Sequence, residues 1–177
     1  MKSEFAFIQR IRVRAGGDQI GDDTAILQQS AGFETLVTAD LLIEEIHFVR
    51  RWTPPSWLGH KSLAVSLSDI AAMGGEPRNA LITLASPPDA DDHFWEEFFD
   101  GYLELANRHR VRLVGGDTSA SIDRITIDSI VLGECHEGSA VRRQGAQVYC
   151  CNYRNLLEAA PWQGQVDGVI ANGSLEL

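Results

Sequence analysis

The sequence predicts an α+β or α/β layer in which helices cover one face of a β-sheet. Segments of helical and strand character alternate along the 177 residues, the pattern expected of a layered mixed fold. Only two helical segments are long enough to cover a sheet, so one face lacks an obvious cover within the chain. A hydrophobic content of 44% is sufficient for one domain with a real core.

Each element has a local reason. Residues 4–13 place Phe5, Ile8 and Ile11 at near-helical spacing and meet Ala15-Gly16-Gly17, which predicts a short amphipathic helix. Residues 24–28 and 35–47 are rich in β-branched and apolar side chains and are separated by Ser30-Ala31-Gly32, which predicts two paired strands. Thr53-Pro54-Pro55-Ser56 opens the clearest helix, residues 57–73, which closes at Gly74-Gly75. One face of it carries Leu63, Leu67, Ile70 and Ala71. Ser62, Ser66 and Asp69 recur on another, a small-residue surface suited to close approach of a ligand or to close packing.

Residues 78–86 read as a buried strand ending at Pro87-Pro88. Asp89, Asp91 and Asp92 then favour the N-terminus of a helix that runs to about His109. Its Phe94, Phe98, Tyr102 and Leu105, beside Trp95, are spaced as core residues. Residues 111–114 form a short strand running into Gly115-Gly116-Asp117-Thr118, and residues 124–135 supply another, for an order of αββαβαββ. A partner subunit is the simplest cover for the open sheet face.

Twenty-five acidic against fifteen basic residues give a formal net charge of -10. That balance argues against nonspecific nucleic-acid binding by phosphate neutralisation. Cys135, Cys150 and Cys151 form neither an even disulfide framework nor a spaced zinc site, and a reducing cytoplasm fits them best. No apolar run approaches the ~20 residues of a membrane span, and the N-terminus lacks a signal-peptide core. A cytoplasmic protein is expected.

Acidic motifs end four separated runs of apolar or small residues: Gly21-Asp22-Asp23, Thr38-Ala39-Asp40, Leu67-Ser68-Asp69 and Gly115-Gly116-Asp117. Carboxylates placed where elements surface are costly unless a cation satisfies them, and Asp23, Asp40, Asp69 and Asp117 are hard oxygen ligands suited to magnesium and phosphates. Thr38 adds a hydroxyl or carbonyl. The Gly115-Gly116 pair allows backbone N–H groups to approach a phosphate, or simply makes a turn. Neither a P-loop nor a G-x-G-x-x-G fingerprint is present. His47 is either a substrate contact or a structural histidine, and Arg142 and Arg143 are either a phosphate contact or an ordinary surface pair. No nucleophilic triad emerges.

The combined string resembles thiamine-monophosphate kinase over residues 4–147. It comprises Gly21-Asp22-Asp23-Thr24-Ala25-Ile26-Leu27, Thr38-Ala39-Asp40 to His47-Phe48, the helix from Leu58-Gly59-His60-Lys61 through Ser68-Asp69-Ile70-Ala71-Ala72-Met73-Gly74, and Gly115-Gly116-Asp117-Thr118. The helix motif is specific for the wider superfamily related to aminoimidazole ribonucleotide synthetase. The resemblance implies a mixed sheet that dimerises face to face as a homodimer, and transfer of the ATP γ-phosphate to thiamine phosphate with several Mg2+ ions. It implies that Asp23, Asp40, Asp69 and Asp117 bind magnesium with Thr38 and Ala39 contributing, that His47 contacts the thiamine phosphate, and that Gly116 and Arg143 face ATP. The family often has threonine at Ala39, so only the carbonyl could serve there. Rival readings are another ATP-dependent enzyme of the superfamily or a catalytically silent dimerisation and nucleotide-binding module.

Residues 1–147 are expected to form the ATP and magnesium domain, and residues 148–177 an atypical tail. Family members continue into a second domain, whereas Tyr149-Cys150-Cys151 onward departs from their pattern. Codons for Asn152-Tyr153-Arg154-Asn155 can encode Thr-Thr-Gly-Thr one base later, so a reading-frame change near Val148 is one explanation and a natural variant tail the other. Little kinase activity is expected of the chain alone.

Overall fold

The computed structural model describes residues 4–16 and 31–142, all but the last within the compact unit Met1–Val141. Seven elements follow in order: α1 Glu4–Arg14, β1 Phe33–Ile43, α2 Pro55–Ala72, β2 Glu76–Ser86, α3 Asp92–Arg108, β3 Arg112–Ala120 and β4 Thr126–His136. The strand expected at residues 24–28 lies outside the described residues, as do Asp23, Arg143, Cys150 and Cys151.

The strands form one mixed sheet in the order β1-β4-β2-β3. β4 pairs antiparallel with β1 and with β2, while β2 and β3 are parallel, as a strand–helix–strand crossover through α3 requires. β4 alternates strictly, with Ile127, Ser129, Val131, Gly133 and Cys135 buried. That period of two turns one side of the strand to the helices and leaves the other uncovered.

Two differences from expectation have clear causes. β1 stops at Ile43 rather than reaching residue 47, because Glu45 takes a left-handed φ of 65° and the N–H groups of Ile46 and His47 both turn back to the Ile43 carbonyl. β3 continues through Gly115, Gly116 and Asp117 instead of ending before them. The Gly-Gly pair is therefore a stretch of strand, with a register irregularity between Ala80 and Leu81 of its neighbour. A Cβ on Gly116 would stand 1.8 Å from the Ile82 carbonyl oxygen, so the close strand approach there requires glycine.

The core lies between the sheet and the helices. Trp95, Phe98 and Tyr102 of α3 are fully enclosed, as expected from the sequence, and so is Phe99. The Trp95 indole donates to Ser86 Oγ at 2.9 Å, and burial pushes the Tyr102 phenol well above its ordinary pKa. Asp91 caps α3 by accepting from the Phe94 N–H at 2.9 Å. α1 leans on α3 through Phe7 against Phe99 and through Arg10 with Asp92 at 3.1 Å.

The Ser62–Ser66 face of α2 packs against the sheet instead of lining an open surface. Both serines are fully buried, with Ser62 donating to the Leu58 carbonyl and Ser66 reaching β1 and β4. Small side chains there allow the helix to approach the strands closely, and only Asp69 at the end of that face remains exposed.

Candidate functional site

The site is built where α2 crosses the edge strand β1. Thr38 and Asp40 are two residues apart on β1 and so share its helix-facing side with the buried Leu36 and Leu42. Thr38 Oγ1 donates to Asp69 Oδ2 at 2.7 Å. Ser66, one turn before Asp69 on α2, shares its single hydroxyl proton between Asp40 Oδ2 at 3.0 Å and the Ser129 carbonyl at 2.7 Å. One oxygen of each carboxylate is thereby held in place, and among the described residues the other has no protein donor. Ala39 lies between them with its side chain on the opposite face of the strand.

This oxygen-only donor set suits a hard divalent cation better than a soft one. It is incomplete by itself, because among the described residues no three acidic, histidine or cysteine side chains converge tightly enough to hold an ion. Asp117 stands apart from the pair. It is on β3, at the sheet edge opposite β1, three strand spacings away and hence on the order of 14 Å. Its register also differs: Asp40 pairs with Ser129, Ser129 with Ile82 and Ile82 with Gly116, so Asp117 falls in the adjacent row with Leu41, Asp128 and Thr83. That row belongs to the face the helices leave open.

The open face is largely apolar. Val37 and Leu41 are 63% and 50% exposed, and Leu81, Ile130 and Leu132 lie on the same side by register. Asp128 sits among them with its Oδ1 atom buried and, among the described residues, without a hydrogen-bond partner. Sequence reasoning passed over Asp128, although its place between Ile127 and Ser129 in an alternating strand marks it as facing away from the helices.

His47 occupies the tight turn after β1. The Ile43 N–H donates to its Nδ1 at 3.0 Å, and Lys61 Nζ donates to its carbonyl at 2.5 Å. The sequence alone assigns no role to Lys61, which the fold places against this turn. The turn is anchored beneath by Glu44, a buried carboxylate that accepts from Arg50 and from the Ile125 N–H, both at 2.9 Å. Arg50 extends the clamp to Asp89, whose carboxyl is held below the usual carboxylate range by that guanidinium. Asp89 therefore serves this clamp rather than the start of α3.

Comparison with known proteins agrees with this architecture. Residues 21–135 match the family described as AIR synthase related protein, N-terminal domain, and the chain belongs to that family. Within it, the chain is 37% identical over 128 residues to the thiamine-monophosphate kinase of Bacillus subtilis strain 168, covering 72% of this chain and 39% of that protein. It is 34% identical over 145 residues to the Aquifex aeolicus thiamine-monophosphate kinase, covering 82% and 46%. The crystal structure of thiamine-monophosphate kinase from Stenotrophomonas maltophilia superposes with a TM-score of 0.69 at 40% identity, over 82% of this chain and 46% of that one. The structure of AaThiL complexed with AMPPCP and TMP gives a TM-score of 0.62 at 35% identity, over 81% and 45%. Escherichia coli HypE, a hydrogenase maturation protein, shares the fold with a TM-score of 0.68 at only 16% identity. The chain thus spans less than half the length of these relatives. No helix among the described residues is long and apolar enough to cross a membrane.

Proposed function

We propose that this chain is the N-terminal, metal- and nucleotide-binding part of a thiamine-monophosphate kinase, acting in the cytoplasm. The observation that carries the reading is the Asp40–Asp69 pair, oriented by Ser66 and Thr38 at the β1–α2 crossing, in a chain 37% identical to such a kinase. In the proposed reaction, a phosphate oxygen of thiamine phosphate attacks the γ-phosphorus of ATP. A new P–O–P bond forms, the β–γ bridging bond breaks, and ADP leaves with the electron pair.

Asp40 and Asp69, with Thr38 and the Ala39 carbonyl, would hold one Mg2+, Asp23 would contribute a further carboxylate, and Asp117, on the far edge of the sheet, would serve a separate ion. Magnesium, when bound, offsets the charge of the phosphates, which matters in a chain whose formal net charge is -10. The protein's own task is to hold these oxygens rigidly, which the buried serine and the β1 threonine do by fixing the carboxylate rotamers. Gly116 and Arg143 would face ATP, and His47 would contact the thiamine phosphate. Incubating the purified chain with Mg2+, ATP and thiamine phosphate is expected to yield little thiamine diphosphate. Adding the C-terminal portion of a related kinase is expected to restore formation. Failure of the chain to bind either ligand would overturn the reading. Nucleotide binding without restored turnover would instead favour a silent nucleotide-binding module.

A homodimer through the open sheet face is part of the proposal. Apolar Val37 and Leu41 call for a cover, and the buried Asp128 oxygen, which has no partner among the described residues, calls for a donor. Light scattering is expected to give about twice the 19.5 kDa chain mass. Leu41→Asp, which places a charge on that face, is expected to give the monomer. A monomeric wild-type protein would exclude the pairing.

A further inference from the structure

We infer that Glu44 and Arg50 are positioning residues: their ion pair is a clasp that closes the loop of residues 44–50 from beneath and holds the His47 imidazole in a single orientation. The inference rests on the reading of His47 as a contact to thiamine phosphate and assigns the residues that act through it.

Glu44 and Arg50 stand three residues before and three after His47, and Arg50 Nε donates to Glu44 Oε1 at 2.9 Å. One side-chain bond thus joins the two ends of the loop. The other Glu44 oxygen accepts from the Ile125 N–H at 2.9 Å, and the Glu44 N–H donates to the Ile125 carbonyl at 3.0 Å, which fastens that end to the residue before β4. The two terminal nitrogens of Arg50 donate to the two Asp89 oxygens at 3.1 and 2.9 Å, which fastens the other end to the segment before α3. The Glu44 and Arg50 side chains are only 6% and 23% exposed, whereas Glu45, Ile46 and His47 above them are exposed. The loop is therefore fixed from below.

This anchorage reaches the imidazole directly. The ring is oriented by the Ile43 N–H on Nδ1, and the His47 N–H is held by the Ile43 carbonyl at 2.9 Å, so a shift of the adjoining Glu44 disturbs both bonds. Glu45 keeps a left-handed φ of 65° within the loop, a conformation that persists only where the surroundings over-determine it. A buried ion pair is a poor source of stability, since an apolar pair of the same volume does as well or better once desolvation is counted. What it adds is direction. An aliphatic contact tolerates sliding, whereas the planar guanidinium takes its partners only at fixed angles and spacing. With every nitrogen of Arg50 and both oxygens of Glu44 engaged, the network has one arrangement.

The test follows His47 in the full chain by 15N NMR and amide hydrogen exchange, with thiamine phosphate titrated into each variant. Glu44→Gln combined with Arg50→Met removes both charges while the amide oxygen still accepts from the Ile125 N–H. Its melting midpoint is expected to stay close to that of the wild type. The Nδ1 resonance should lose its hydrogen-bonded position, the His47 amide should exchange at least about tenfold faster, and thiamine phosphate should bind at least about tenfold more weakly. Arg50→Lys keeps the charge without the fork and is expected to lose about three- to tenfold in affinity, which decides the question should the double variant fail to fold. Asp89→Asn, at an exposed carboxylate, is expected to cost less than either. A purely structural pair would instead lower the midpoint and speed exchange throughout, including Phe98 and Tyr102 of α3, with no separate change at His47, and that result would overturn the inference. So would wild-type ring signals and affinity in both the double variant and Arg50→Lys. If the ring is released in the variants but the wild type binds no thiamine phosphate, the clasp stands and the substrate reading of His47 falls.

Discussion

Gly59→Ala is expected to destabilise the domain by about 2–4 kcal/mol, despite the better helix propensity of alanine. At this position in α2, an added Cβ would stand 1.9 Å from the Phe98 carbonyl oxygen and 2.9 Å from the Tyr102 nitrogen of α3. The contact is reciprocal, for a Cβ on Gly101 would stand 1.8 Å from the Ser56 carbonyl oxygen. Both obstacles are backbone atoms that no rotamer change can move. Restoring an ordinary carbon–oxygen separation of about 3.3 Å would push the helices roughly 1.4 Å apart. The gap would open along an interface that includes Leu58 and the fully enclosed Phe98 and Tyr102. Urea denaturation and a melting curve measure the result, with a fall in midpoint of roughly 5–12 °C expected. An unchanged or raised midpoint would mean that propensity outweighs packing and that the close crossing is unimportant.

Asp40→Asn and Asp69→Asn are each expected to weaken Mg2+-dependent ATP binding by about 10–100-fold, equivalent to roughly 1.4–2.8 kcal/mol. Each change keeps the size of the side chain and removes a negative charge that the cation requires. Asp40 Oδ2 accepts from Ser66, and Asp69 Oδ2 accepts from Thr38. An amide can still accept at its oxygen, so the fold should tolerate both substitutions. Isothermal titration with ATP at fixed Mg2+, repeated without the metal, separates the charge effect from nucleotide contacts. Thr38→Val should give a smaller loss, because it releases the Asp69 rotamer without removing a charge. Titrations unchanged in both aspartate variants would remove Asp40 and Asp69 from the proposed site.

Much of the fold is legible because its causes are local. The period of α3 places Phe94, Phe98, Tyr102 and Leu105 on one side; the last three are buried and Phe94 is partly buried against the same core. The strict alternation of β4 and the proline before α2 similarly mark elements whose bounds agree within about two residues with those read from sequence. The ends of β1 and β3 were less legible. A left-handed Glu45 shortens one strand, and nothing in its residue type announces that conformation. The Gly115-Gly116 pair reads locally as a turn, and only the parallel pairing with β2 keeps it in a strand.

For the site, residue type and spacing selected the acidic motifs and the oxygen chemistry, since carboxylates at element ends are chemically conspicuous whatever their surroundings. They also carried the resemblance to the kinase family, which the match over residues 21–135 bears out at the level of the N-terminal domain. What only the tertiary structure decided is which of these groups meet. Asp40 and Asp69 come together because a buried serine face draws α2 onto β1, while Asp117 is carried to the far edge by the strand order β1-β4-β2-β3. Strand order, register and helix crossing are set by contacts between residues distant in sequence, such as Gly59 with Phe98 and Ser66 with Ser129. No local period encodes a long-range pairing of that kind. The chain alone determined which oxygens and donors were available, and packing determined which of them could act on one ligand.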